Sequence, residues 1–349
     1  MSGYPIHTAR LTVRLMRSSD VDTLCAHRNE TEVAATQDWP MPYVAGMAGW
    51  LSGQDRLDDI TSGGRTHLAI DVGGEHVGEL ALLLDDKGQQ ASIDCTLSSR
   101  YWSRGYAREA ALAVVADLVD RLGVVRITAT TDPGNIAALR LLEAIGLVHE
   151  HEARLGVVRR GERTDATCYA VTADEWRAWR DRPQGSPGEV SLVPIDSDSA
   201  WAWRAVEGHW SQRRFVASVS DSYTDALFPD VWRGGRLVPV LLGVMADDER
   251  VGFLMYADRS PSMLSPYLWR MLVDRRHQRR GIGRQALRLL ARRLLAEGNT
   301  HMTTTFAEGR GGPREFYLGL GGRVTGEIVD DETEAVIDLT TLAAEPVEP

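Results

Sequence analysis

The stretch best equipped for chemistry is Gln278-Arg279-Arg280-Gly281-Ile282-Gly283. It follows a short apolar run that ends at Leu272 and Val273, and an amphipathic helix begins at once. Leu287, Leu290 and Leu294 share one face of that helix, while Arg288, Arg292 and Arg293 take the others. Glycines between a strand and a helix leave backbone N–H groups pointing at one spot, with no Cβ to hold a ligand away. The helix N-terminus adds partial positive charge, and Arg276, Arg279 and Arg280 add more, so capture of a phosphate group is expected. The spacing is not a P-loop, because no Lys-Ser/Thr follows, and the third glycine of the dinucleotide fingerprint is missing. A Gly-rich turn often does nothing but end a strand. Here, however, residues 91–112 repeat the arrangement: a strand, then Arg104-Gly105-Tyr106-Ala107, then a helix. Turn chemistry alone does not explain duplication at domain scale.

The elements that must position these loops follow from length and pattern. At 349 residues the chain suits two domains of moderate size, and 43% apolar with 25% charged residues is the composition of a soluble globular protein. No apolar run approaches the roughly 20 residues needed to cross a bilayer, and no signal-peptide core opens the sequence, so no membrane partner and a cytoplasmic address are expected. A net charge of −10 argues against general nucleic-acid binding. Cys25, Cys95 and Cys168 are isolated, which predicts neither a disulfide frame nor a metal site.

Residues 10–17 read as a first strand and Ser18-Ser19-Asp20 as a helix cap. Residues 68–72 and 77–84 form a hairpin turned by Gly73-Gly74, and Asp132-Pro133-Gly134-Asn135 opens a helix over 136–144. Residues 181–189 are polar and rich in Pro and Gly, the best linker in the chain, and the cycle then repeats. The domains expected are 1–180 and 190–349, joined by 181–189. In the second, residues 200–210 read as a helix, and Asp247-Asp248-Glu249-Arg250 as a turn. His149 and His151 would share one face of a strand. Alternating strands and helices with several hairpins predict a mixed α/β sheet with helices on both sides, built twice.

On these motifs the chain resembles two tandem members of the GNAT superfamily of acyl-CoA N-acetyltransferases. The first half, with WSRGYAREA and TDPGNIAALRLLEAIGL, is similar to the ribosomal-protein alanine acetyltransferases. The second, with QRRFVA, VGFLMY and RMLVD, looks like the polyamine and diamine acetyltransferases. The resemblance implies acetyl-CoA as cosubstrate, direct attack of an amine on the thioester, and an α/β fold of two GNAT domains. It places the cofactor at Gln278, Arg279, Arg280, Gly281, Ile282 and Gly283, and at Arg104, Gly105, Tyr106 and Ala107. It puts the oxyanion donor among the backbone N–H groups of Leu272 and Val273, with Leu97 in the first half, and a pantetheine contact at Asn135.

Tyr317, in PREFYLGLG, stands where the family's acid is found; packing beside Phe316 is the plainer role. In the first half the matching position is Leu142, and Ala138 replaces an occasional serine, so the expected proton donor is missing there. Glu207 and His209 are the candidates for a base, or else solvated groups. Asp221, Asp225 and Asp230 could hold a cationic substrate. The implied function is acetyl transfer to a primary amine of a small molecule, such as a polyamine, an amino sugar or an amine-bearing antibiotic, chiefly in the second half. The alternatives are two active halves with different acceptors, including a protein N-terminus, or an acyl-CoA-binding sensor without catalysis.

Overall fold

The computed structural model describes residues 3–159, 161–232, 235–261 and 263–344. Two units share the chain, Met1–Asp181 and Arg182–Pro349. The first opens with β1 (Ile6–His7), β2 (Leu11–Leu15), α1 (Val21–Arg28) and two single turns, α2 (Thr31–Ala34) and α3 (Leu51–Gln54). It continues with β3 (Gly64–Val72), β4 (Glu75–Leu84), β5 (Gln90–Leu97), α4 (Tyr106–Ala116), β6 (Arg126–Thr131) and α5 (Ile136–Ala144). A long hairpin, β7 (Val148–Arg159) and β8 (Glu162–Thr172), and α6 (Ala173–Arg180) close it. The second unit runs β9 (Val190–Pro194), α7 (Ala200–Trp203), α8 (Val219–Leu227), β10 (Val231–Trp232), β11 (Gly235–Arg236), β12 (Val238–Ala246), β13 (Glu249–Asp258) and β14 (Tyr267–Val273). Then come α9 (Ile282–Ala296), β15 (His301–Phe306), α10 (Arg314–Leu318), β16 (Arg323–Val329), β17 (Glu332–Asp338) and α11 (Leu339–Ala344).

Among the described residues the first sheet has the order β1-β2-β3-β4-β5-β6-β8-β7, and the second β16-β17-β15-β14-β13-β12-β9. Counted from β2 and from β9 the two orders are the same. The described pairings are antiparallel except β5 with β6 and β14 with β15. Two-residue hairpins need left-handed backbone at both central positions, which Gly and Asp tolerate best. Gly73 and Gly74 supply it between β3 and β4, Asp247 and Asp248 between β12 and β13, and Asp330 and Asp331 between β16 and β17. The second of these turns is thus shorter than the four residues expected.

In the second unit Ile282, Ala286, Leu287, Leu290 and Leu294 of α9 pack on Leu254, Leu268, Met302 and Ile337 of the sheet. On the opposite face Trp203, Val206 and Val219 cover Phe253, Met255 and Leu272. No helix among the described residues is long and apolar enough to cross a membrane.

Three expectations need correction. Only Ala200–Trp203 of residues 200–210 is α-helical, because tertiary bonds take the backbone beyond it: Glu207 N–H donates to Asp274 Oδ2 (3.2 Å), and Arg275 N–H to Glu207 O (2.8 Å). His149 and His151 do not share a face. A bulge at Glu150 pairs them with consecutive residues, Tyr169 and Cys168. Part of the expected linker is tied to the second unit: Gly185 O accepts from Arg280 Nε (2.8 Å), and Glu189 N–H donates to Asp247 Oδ1 (3.1 Å).

Candidate active site

The two glycine loops are one conformation written in two sequences. Ser103 and Arg279 both take left-handed backbone (φ 62 and 64), as do Gly105 and Gly281 (φ 78 and 75), which cap α4 and α9. A left-handed non-glycine residue costs on the order of 1–2 kcal/mol, so its recurrence at the same place in both units marks a shape that is used. The first intrahelical bond is Gln285 N–H to Gly281 O in one unit and Glu109 N–H to Gly105 O in the other. Amides ahead of these lie outside the helical ladder, where the N-terminus of a helix can take an anion. Ile282 is buried in the core. Gly283 lies under Phe316, whose ring would come within 3.3 Å of an added Cβ.

Two of the three arginines expected to strengthen the second loop are engaged elsewhere. Arg276 Nε donates to Asp274 Oδ1 (2.9 Å), and Arg280 is buried between Gly185 O and His277 Nδ1 (3.0 Å). Arg279 remains exposed. In the first unit Arg10 covers the loop, bonding Arg104 O (2.9 Å) and Glu109 Oε2 (2.7 Å), with its guanidinium 4.8 Å from the centre of the Tyr106 ring. Ala107 lies half-buried on the first turn of α4.

In each unit the parallel strands pair only briefly and then part. β5 and β6 stop at Ser92 with Thr128, and β14 and β15 at Leu268 with Thr304. The threonine at each fork donates across it, Thr128 Oγ1 to Ala91 O (3.4 Å) and Thr304 Oγ1 to Leu268 O (2.9 Å). Residues 93–97 and 269–273 then line a widening gap. Asp274 N–H donates to Val251 O (2.8 Å), and backbone groups alternate sides along a strand. Val273 therefore presents its N–H to the gap, whereas that of Leu272 is turned into the ladder with Phe253. Ser98 N–H to Val77 O (3.0 Å) gives Leu97 the same aspect as Val273. A loop side chain holds each of these carbonyls: Gln278 Nε2 donates to Val273 O (3.0 Å) and Trp102 Nε1 to Leu97 O (2.9 Å).

Tyr317 is buried, stacked on Phe306 with ring centres 5.7 Å apart. Burial pushes its phenol up to about 12, against a smaller lowering by the hydrogen bond it shares with Thr304, the fork residue. A phenol that weak as an acid is mismatched to a thiolate of about 8.5 by roughly 5 kcal/mol, so it is better suited to donating a hydrogen bond than to surrendering its proton. Leu142 stands at the matching place in α5, and Asn135 spends its side chain capping that helix on Ala138 N–H (3.1 Å).

Glu207 and His209 lie on the other face of the second sheet. They line a cavity of about 170 Å³ together with Gln212, Arg213, Ser218 and the Leu272 side chain. Tyr317 does not line it. Asp274, buried at the end of β14, holds the cavity loop through Glu207 N–H. Burial raises its carboxyl, but the Arg276 guanidinium and the backbone N–H groups of Arg276 and Glu207 outweigh this and hold it below the usual carboxylate range. Gln212 joins the cavity to the glycine loop, because Gln278 Nε2 donates to its Oε1 (2.8 Å). Sequence reasoning missed Asp274 and Gln212 as supports, because their partners are distant in the chain: Glu207 lies 67 residues from Asp274, and Gln278 lies 66 from Gln212. Asp221, Asp225 and Asp230 do not line the cavity; Asp221 accepts from Ser218 at the start of α8, and Asp225 pairs with Arg270 (2.5 Å).

Comparison with known proteins agrees with the duplication. A model of the acetyltransferase (GNAT) domain matches residues 10–148, and one of the acetyltransferase (GNAT) family matches residues 203–321. The uncharacterized N-acetyltransferase p20 of Bacillus licheniformis is 25% identical over 173 residues, 49% of this chain and 97% of its own. The uncharacterized N-acetyltransferase YnaD of Bacillus subtilis is 31% identical over 84 residues, 24% of this chain and 49% of its own. Among solved structures, Mycobacterium smegmatis RimJ in complex with CoA-disulfide is 20% identical, covering 47% of this chain and 83% of that one, with a TM-score of 0.41. A spermidine N-acetyltransferase chimera from Vibrio cholerae is 14% identical, covering 48% and 99%, with a TM-score of 0.42.

Proposed function

This chain belongs to the GNAT acetyltransferases, two of their domains in tandem, and we propose that it acetylates a primary amine of a small molecule, chiefly in the second unit. Acetyl-CoA, the family's cosubstrate, supplies the activated acyl group, and the glycine-loop amides suit its diphosphate. The observation that carries the reading is the cavity lined by Glu207, His209 and Leu272 beside the end of β14, where the Val273 N–H is directed into the gap. An amine entering from the cavity meets an acyl carbonyl at the strand end, with Val273 N–H as a preplaced donor to the developing oxyanion. Tyr317 offers a hydrogen bond to the departing sulfur. An alkylamine with pKa near 10 is protonated at pH 7, and its neutral form costs about 4 kcal/mol, so Glu207 or His209 has a proton to remove, directly or through water. Among a polyamine, an amino sugar and an amine-bearing antibiotic, the cavity's mixed charge, with Arg204 and Arg213 lining it beside Glu207, favours the latter two over a purely cationic polyamine.

Calorimetric titration with acetyl-CoA, paired with thiol release over a panel of amines, tests it. Saturable binding with release driven by a small amine is expected. Binding without release for every amine would instead support a sensor, and no binding would remove the reading altogether.

A further inference from the structure

Helix α1 ends in Arg28, whose side chain turns inward. Its Nε and Nη2 donate to Glu79 Oε1 at 2.9 and 2.7 Å. The guanidinium carbon stands 4.7 Å from the centre of the Trp39 ring, 4.6 Å from that of Tyr43 and 6.0 Å from that of Trp50. The second oxygen of Glu79 lies 3.0 Å from His67 Nδ1, and Trp50 packs on the His67 ring with centres 4.0 Å apart. Arg28 and Glu79 are only 9% and 5% exposed. A buried carboxylate with aromatic faces around it is how proteins recognise guanidinium and ammonium groups.

The position of this box in the fold gives it meaning. Gly78 pairs with Leu97 at the strand end of the first unit, and Gly252 pairs with Val273 at that of the second. The next residue is Glu79 in one sheet and Phe253 in the other, and Phe253 packs with Leu272 on the cavity side. Glu30, two residues after Arg28, takes the Ser99 N–H (2.7 Å) just beyond the strand end. The box therefore stands where the second unit has its cavity.

We infer that the acceptor-side recess of the first unit is a cation-binding box whose ligand is the chain's own Arg28, so that it is closed to exogenous guanidinium and amine groups. This goes beyond the transfer reaction and does not depend on it, since no second-unit residue takes part.

Chemical rescue in the full chain tests it. Arg28→Ala empties the box, and the melting transition of the first unit should fall by roughly 10 °C. Millimolar methylguanidinium should restore it saturably, while leaving the wild type unmoved. Sodium chloride at matched ionic strength and the neutral isostere methylurea should restore nothing, and Arg28→Ala with Glu79→Gln should lose the rescue. Methylguanidinium acting equally on variant and wild type, or on neither, overturns the inference. Should Arg28→Ala not accumulate folded, refolding from denaturant with and without methylguanidinium decides it: better recovery with the cation supports the box, and equal recovery overturns it.

Discussion

At the end of the central strand the two units solve one problem from opposite sides. In the first, a carboxylate of the acceptor-side segment, Glu30, reaches over to the Ser99 N–H beyond the strand. In the second the carboxylate belongs to the strand end, Asp274, and reaches over to Glu207 N–H of the acceptor-side loop. The junction is closed either way, but what remains beside it differs. Gly208 and Leu272 line a cavity in the second unit, with Phe253 packed against Leu272, whereas Glu79 draws Arg28 into the equivalent place in the first. The forks differ as well: Thr304 meets a phenol, and the residue matching Tyr317 in the first unit is Leu142. A loop of one shape thus serves two different surroundings. On the proposed reading, binding a coenzyme and performing transfer are separable properties of this fold.

Paired substitutions break or sharpen that contrast. The largest effect is expected from Tyr317→Phe, about a 100-fold fall in turnover from loss of a hydrogen-bond donor to the departing sulfur, with acetyl-CoA affinity nearly intact, while Leu142→Phe leaves turnover unchanged in the same thiol-release assay. Next, Gly281→Val puts a β-branched residue at left-handed φ and should weaken acetyl-CoA binding and kcat/KM by roughly 10- to 30-fold. Gly105→Val should weaken binding at the first loop alone; if turnover follows Gly105 instead, the assignment of chemistry to the second unit is reversed. Gln278→Ala releases Val273 O and Gln212 together, and about a 5-fold loss of turnover is expected, against none for Trp102→Phe.

The last effect is on acid stability rather than turnover. The Asp274 carboxyl is held below its usual range, so its stabilisation is complete above about pH 4 and is lost as pH falls through its lower folded value. Urea melts should show wild type above Asp274→Asn by about 1–2 kcal/mol at pH 7, with the gap closing towards pH 3. Glu30 is also lowered: burial raises it, but bonds from Ser99 and Ser98 prevail. A gap for Glu30→Gln that closes in the same direction would show that the two carboxylates are equivalent, and a gap independent of pH would separate them.

Much of the architecture was legible because it rests on short-range rules. Gly73-Gly74, Asp330-Asp331 and the Asn135 cap stand where turn and cap chemistry puts them. The extents of β7 and β16 were not legible because both are exposed along most of their length, which erases the alternation that betrays a half-buried strand. The helix expected over residues 200–210 failed for a different reason. Local propensity favoured it, and a buried carboxylate 67 residues away claimed its backbone.

The sequence by itself determined the duplication, the two glycine loops and the missing phenol of the first unit, because each is a matter of residue type at fixed spacing. Tertiary structure alone decided which arginines face the loop, that Leu272 lines a cavity while Val273 offers its N–H, and that Arg28 fills the first unit's recess. Those depend on strand register and on partners distant in the chain: one step along a strand reverses the side on which a group points, and a guanidinium goes wherever a buried carboxylate awaits it.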